Sequence, residues 1–384
     1  MKVLVLANAT YADPPTRKVF DHVAARGIEV VLAMPRRIRH PFGPSVVPPT
    51  PWETPVRLEL LDTWYLHENG THVVMKGLPG LIRRLRPDVI HCVLEPWSIT
   101  CLMVASVLMT MPGYRPRLGV QPVETLPHHG TLLARTIRQS LYRMVLRRTD
   151  YFIGWSTRTI DAARMMGLNG IPTLSAPALA VDTDTFKPLP PPLREAHRSE
   201  LGWGRDAFVI GFVGRFEPEK GIRDLLAAMD KAVREEPGLR LVLLGTGSLG
   251  AEVARAAASR EWLSVLPSRD AAGVGRFMAA VDLLVLPSRA TDTWDEQFGL
   301  VAIEAMACGT PLVASDCGSL GETVGDAGVV VPQKDVDALY RSIVGLARSQ
   351  DRRADLARRG MDRISRHFAP SSLAERLMPL LVKA

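Results

Sequence analysis

Phe208-Val209-Ile210-Gly211-Phe212-Val213-Gly214, followed by Arg215-Phe216-Glu217-Pro218-Glu219-Lys220-Gly221, is the stretch on which the fold turns. Its first part is a near-continuous apolar run, the composition of a strand buried on both faces in a parallel sheet. Pro218 and Gly221 interrupt the pattern, and from Ile222 to Val233 the apolar residues return at helical spacing. A second strand pattern, Leu239 to Gly245, completes a β-α-β unit. The chain opens on the same succession: Lys2 to Ala7, Thr16 to Arg26, then Ile28 to Met34. Two doubly wound α/β domains are therefore expected, with a boundary near residue 185. After a hinge over Val181 to Phe186, Pro188-Leu189-Pro190-Pro191-Pro192 reads as a stiff extended segment. Open parallel sheets bind ligands at the carboxyl ends of their strands, so Arg215 and Lys220 fall where two cations suit a diphosphate.

A second block, Glu296-Gln297-Phe298-Gly299-Leu300-Val301-Ala302-Ile303-Glu304, lies between a strand pattern, Val281 to Ser288, and a helical one that runs through Ala307. Gly299 then stands near a helix start, where backbone N–H groups lack intrahelical acceptors and the helix dipole is positive. Glu296 before the helix and Glu304 on its second turn flank those donors with acceptors, an arrangement suited to a polyhydroxylated, phosphorylated ligand. Each carboxylate alone reads as an exposed side chain at a helix entrance, and each cation alone as a solvated loop residue. Their joint placement favours a site.

Together these residues resemble the retaining GT-B glycosyltransferases of family four, particularly the bacterial polysaccharide and glycolipid members. The matching segments are Gly214-Arg215 with Lys220-Gly221, Glu296 to Glu304, Ala305 to Val313, Gly325-Asp326-Ala327-Gly328, and Val181 to Pro188. The resemblance is specific over about Pro177 to Val331 and diffuse before it. It implies two Rossmann-like domains facing across a cleft: an acceptor-side domain over residues 1–185, a donor-binding domain over 186–369, and a last helix, 370–384, packing back on the first. It implies that Arg215 and Lys220 hold the diphosphate of a UDP- or GDP-type sugar donor and stabilise the leaving group. Glu296 and the following backbone amides would contact the sugar hydroxyls, and Glu304 the ribose. Gly214, Phe298, Gly299, Leu300 and Val301 complete the expected donor site. Transfer would retain the anomeric configuration by front-face attack, with Arg215, Lys220 and Glu296 as the catalytic set.

Two motifs favour other chemistries. Gly245-Thr246-Gly247-Ser248-Leu249-Gly250 fits the dinucleotide fingerprint Gly-x-Gly-x-x-Gly, with Asp270 beyond it, but it follows the second strand of its domain instead of the first, and a tight turn is expected. Asp182-Thr183-Asp184 imitates a metal-binding Asp-x-Asp, yet it lies beside the interdomain linker, where a capping or turn role fits better. No metal and no cofactor are expected. A non-catalytic sugar-nucleotide-binding protein is the alternative from another class, and an NAD-dependent oxidoreductase a more distant one.

The first domain is harder to read. The loop after its first strand, Asn8 to Pro15, lacks the paired glycines of many family members, and Thr16, Arg17 and Lys18 at the next helix start are the substitute anion ligands. Glu95 and Trp97 follow the strand pattern Val89 to Leu94; Glu124, His128 and His129 lie in or after another. With Thr16 and Arg17 they form the acceptor-side candidates, and spacing does not choose among them.

The 384 residues are 47% hydrophobic, enough for buried sheets and against a disordered or disulfide-dependent chain. Cys92, Cys101, Cys308 and Cys317 form no Cys-x-x-Cys pair and read as buried free thiols. The apolar start, Met1 to Ala9, is too short for a signal peptide, and the run Ile99 to Met111 is too short to span a bilayer. A cytoplasmic location follows as the expectation. Residues 1–185 hold 21 Lys+Arg against 14 Asp+Glu, net +7, whereas residues 186–384 hold 26 against 26. With no nucleic-acid recognition motif, that excess suggests phosphorylated substrates or a peripheral contact with anionic membrane. The stretch containing Arg135, Arg138, Arg143, Arg147 and Arg148, with Leu141, Tyr142, Met144, Val145 and Leu146, is the candidate membrane helix. The expected partners are thus a nucleotide-sugar donor, a glycan or lipid-linked acceptor and an anionic membrane surface.

Overall fold

The computed structural model describes residues 1–7, 14–40, 43–46, 54–65, 73–123, 131–204 and 206–382. They form two compact units, Met1–Ala180 with Pro370–Ala384, and Val181–Ala369. The division falls after Ala180, where the sequence reading put it near residue 185, and the final helix Pro370–Leu381 packs against the helix Pro14–Ala24 of the first unit.

The main sheet of the first unit contains β1 (Lys2–Ala7), β2 (Glu29–Pro35), β3 (Arg57–Leu61), β4 (Val89–Val93), β5 (Arg117–Val120), β6 (Tyr151–Gly154) and β7 (Thr173–Ser175). Their order is β7-β6-β5-β4-β1-β2-β3, parallel throughout. The second unit contains β8 (Phe208–Val213), β9 (Leu239–Leu244), β10 (Leu263–Leu266), β11 (Leu283–Leu286), β12 (Leu312–Ser315) and β13 (Val329–Val331) in the order β10-β9-β8-β11-β12-β13, again parallel. Helices cover both faces, so strands such as β8 and β11 are apolar on successive residues instead of alternate ones. Chain progression reverses between β8 and β11, which pair through Ile210 with Leu283 and Gly211 with Leu284. That reversal opens a crevice at the carboxyl ends of the two strands. In the first unit the corresponding reversal lies between β1 and β4.

The structure corrects several local readings. The prolines after the hinge do not stay extended: Pro190 caps a helix over Pro191–Glu200, because the fixed φ of proline suits a first helical turn, whose N–H groups need no acceptor. The strand expected from Val281 to Ser288 shortens to Leu283–Leu286. The basic helix is Leu132–Leu146, but Tyr142, Val145 and Leu146 are buried in the core of the first unit. Among its described side chains, the exposed large apolar ones are Leu133, Ile137 and Met144.

Candidate active site

β8 and β11 end side by side, and their loops supply the site. From β8 come Gly214, Arg215 and Lys220; from β11 come Ser288 and, further along the loop, Glu296. These residues, with Gly299, Leu300 and Val301, line a cavity of about 280 Å³ closed on its apolar side by Phe212, Leu286 and Leu320. Gly299 caps the helix Leu300–Ala307 with φ 88°, a left-handed conformation, and a Cβ there would lie 2.5 Å from Leu320 Cδ1. Glycine therefore lets the chain turn into a helix whose first residues face the cavity. The N–H groups of that first turn have no intrahelical acceptor and carry the positive end of the dipole.

Lys220 Nζ donates to Glu296 Oε2 at 2.8 Å, and both side chains retain 19% exposure. Ser288 Oγ donates to the same oxygen at 3.3 Å. The ammonium also lies 4.5 Å from the centroid of the Trp294 ring. The backbone of Glu296 is held in turn, its carbonyl accepting from Ser319 N–H at 2.7 Å. Arg215 pairs with Glu219 at 3.3 Å and is more open to solvent. The cavity thus presents two cations, a helix start and one carboxylate, a set able to hold a diphosphate beside a hydroxyl-rich group. Cys317, buried near Glu296, is pushed up to about 11 chiefly by burial, and Cys308 to about 12 by burial and by Glu304; both stay protonated and unfit as nucleophiles near neutral pH. All four cysteines are buried free thiols.

The remaining nominated residues lie elsewhere. Phe298 is buried, its ring 5.8 Å from that of Phe368 in an edge-on contact, so its side chain anchors the loop in the core and does not line the cavity. Glu304 is half-buried on the Leu300–Ala307 helix and is not part of the cavity lining. Glu95 accepts from Val123 N–H at 2.9 Å, tying the loop after β4 to the segment after β5. Trp97 is half-buried with the Arg138 guanidinium 5.4 Å from its ring centroid. Arg17 is buried at 4% exposure in the Pro14–Ala24 helix. Glu124, His128 and His129 lie outside the described residues, as does the side chain of Thr16. Sequence reasoning missed Trp294 and Ser288; an aromatic two positions before Glu296 was the available signal for the first.

Both rival motifs have structural explanations. A Cβ at Gly245 would lie 1.9 Å from the Gly214 carbonyl oxygen, and one at Gly247 2.5 Å from that of Phe216, so these glycines permit close packing of the loops after β8 and β9. Asp182 closes a turn, accepting from Asp184 N–H at 3.3 Å and from the Thr185 hydroxyl at 2.7 Å.

Residues 207–349 match the family model for glycosyl transferases group 1. The chain is 30% identical over 290 residues to a GDP-mannose-dependent monoacylated alpha-(1-6)-phosphatidylinositol monomannoside mannosyltransferase of Corynebacterium glutamicum, covering 72% of this chain and 74% of that one. It is 35% identical over 207 residues to the D-inositol 3-phosphate glycosyltransferase of Segniliparus rotundus, covering 52% of this chain but only 44% of that protein's length. The fold matches Anabaena Alr3699/HepE, solved in complex with UDP, at a TM-score of 0.72 and 18% identity over 99% of both chains. Two parallel Rossmann-like units and these relatives define a GT-B fold. The chain belongs to the group 1 glycosyl transferase family.

Proposed function

We propose that this protein is a retaining family-four glycosyltransferase that moves a sugar from a UDP- or GDP-type donor to a hydroxyl of a glycan or glycolipid in cell-surface glycan assembly. The observation that carries the proposal is the convergence of Arg215, Lys220 and the start of the Leu300–Ala307 helix on one cavity beside Glu296. As the bond from the anomeric carbon to phosphate breaks, negative charge grows on the leaving diphosphate, and these groups bind it more tightly in that state. Glu296 orients the sugar, and the departing phosphate oxygen accepts the proton of the attacking hydroxyl on the same face. Arg215 and Lys220 supply the charge a divalent metal would bring, so EDTA leaves the rate unchanged; loss of activity restored by magnesium or manganese would overturn metal independence. The Corynebacterium relative's name, which specifies GDP-mannose and a phosphatidylinositol mannoside, supports a glycolipid acceptor.

A lipid-linked acceptor accords with peripheral docking at the inner face of the membrane. Among the described residues no helix is long and apolar enough to cross a membrane. The Leu132–Leu146 helix carries exposed Leu133, Ile137 and Met144 together with exposed Arg143, and is followed by exposed Arg147 and Arg148, the combination of apolar and basic groups that anionic headgroups attract. Cosedimentation with phosphatidylglycerol vesicles is expected at low salt and lost at high salt; equal binding by an Arg143/Arg147/Arg148 charge-reversal variant would remove this part of the proposal.

The primary test is a thermal-shift comparison of UDP, GDP, ADP and NAD, followed by donor turnover with and without acceptor. UDP or GDP at about 100 times its Kd stabilises the folded state by about 2.7 kcal/mol. A shift with NAD alone would sink the reading; nucleotide binding without turnover would favour the non-catalytic alternative.

A further inference from the structure

Lys220 is shared between two partners of different kind. One is the Glu296 carboxylate at 2.8 Å; the other is the Trp294 ring, whose centroid is 4.5 Å from the ammonium. A carboxylate neutralises the cation it holds, whereas an aromatic face attracts it through its quadrupole and leaves its charge available. The distinction matters once a donor enters. Glu296 then turns to sugar hydroxyls, and Lys220, on its flexible four-carbon stem, would lose the partner that orders it just when its charge is required.

Trp294 is built to remain. It lies on the loop between β11 and the Leu300–Ala307 helix, in a backbone turn where Thr291 N–H donates to the Trp294 carbonyl at 2.8 Å and Thr293 N–H to the Thr291 hydroxyl at 3.3 Å. The turn is closed by backbone and threonine groups, and the indole takes no part in its hydrogen bonds. The ring itself is half-buried, and Asp295 beside it is buried at 5% exposure, which fixes the loop where it meets the site. We infer that Trp294 is a positioning residue: it holds the Lys220 ammonium at the cavity for a nucleoside diphosphate while Glu296 is engaged with the sugar. This inference rests on the donor-site reading proposed above.

Calorimetric titration of the full chain with UDP and with GDP tests it, comparing wild type, Trp294→Phe, Trp294→Leu, Lys220→Ala and the Lys220→Ala/Trp294→Leu double variant. Trp294→Leu should weaken nucleoside diphosphate binding by about tenfold and raise the donor KM, while Trp294→Phe, which keeps an aromatic face, retains most of the affinity. In the Lys220→Ala background the leucine substitution should add no further loss, because the ring then has no cation to hold. Wild-type affinity in Trp294→Leu, a Trp294→Phe as weak as the leucine variant, or an equal loss in the absence of Lys220 would overturn the inference. The donor site itself would still stand if wild type binds and Lys220→Ala binds measurably more weakly, whichever way the Trp294 variants fall. If wild type binds neither UDP nor GDP, the donor-site reading falls and takes the role of Trp294 with it.

Discussion

The two reversal points of this molecule are built from the same parallel strand pattern and finished differently. In the second unit, the loops after β8 and β11 bring Arg215, Lys220 and Glu296 to a cavity at the strand ends. In the first, one described polar network lies inside the sheet, while Glu95 after β4 ties two loops together. His91 on β4 is fully buried, its Nε2 3.0 Å from Gln121 Oε1 and its Nδ1 3.2 Å from the Tyr151 hydroxyl, while Gln121 Nε2 donates to the Ala176 carbonyl at 3.1 Å. The pattern is satisfied if Tyr151 donates to Nδ1 and a neutral His91 donates from Nε2 to Gln121. Polar groups with all partners inside the protein stabilise a sheet; charges left facing a cavity are available to a ligand. Among the described residues, Arg215, Lys220 and Glu296 line a cavity, whereas the described hydrogen bonds of His91 close within the sheet.

Removing the cavity charges tests that contrast most severely. Lys220→Ala and Arg215→Ala should each reduce kcat/KM by about 100- to 1,000-fold in steady-state assays while urea titration still shows a cooperatively folded chain. A rate within threefold of wild type, on the order of measurement scatter for such variants, would return the cavity to a purely structural role.

The His91 network predicts a pH effect of comparable energy on folding instead of turnover. Burial lowers His91 to about 4 from 6.5, partly opposed by its hydrogen bond to Gln121. Between those values the unfolded chain binds the proton and the folded one does not. Stability from this group is thus complete above about pH 6.5 and falls by about 3 kcal/mol as pH drops toward 4. Urea denaturation across that range should show the slope, and His91→Phe should flatten it. An unchanged slope would mean that other groups dominate acid unfolding.

A smaller effect is expected at Gly119, which pairs with Tyr151 across β5 and β6; a Cβ there would lie 1.9 Å from Tyr151 Cζ. Gly119→Ala should cost about 2–3 kcal/mol in denaturant titration, since the rigid ring and sheet offer little room to adjust. The mildest sharpening separates Glu296 from Glu304. Glu296→Gln should lower turnover by about tenfold while keeping nucleoside diphosphate affinity, and Glu304→Ala should weaken nucleotide binding by about tenfold through lost charged hydrogen bonds. Reversed effects would exchange the roles assigned to them.

Much of the second unit was legible because its signals are local. The apolar run of β8, Gly299 before a helix and the nearby cations each follow from composition over a few positions. Phe298 shows the limit. Its place within Glu296 to Glu304 suggested a ligand contact, but only the packed structure reveals that its ring is taken up by Phe368, 70 positions later in the chain. The Leu132–Leu146 helix shows a related limit: a mixed basic and apolar sequence has two plausible inner faces, and the core took Tyr142, Val145 and Leu146.

By itself the sequence determined the parallel α/β class, the two strand-loop-helix repeats and the chemical types gathered near the candidate site, because period, turn chemistry and charge are encoded over short distances. Tertiary structure decided which of those groups meet. The pairing of β8 with β11 joins Lys220 to Glu296 across 76 positions of chain and sets Trp294 over the same ammonium. The order of strands, a long-range property of the sheet, determines which loops share a crevice, and no local pattern carries that information.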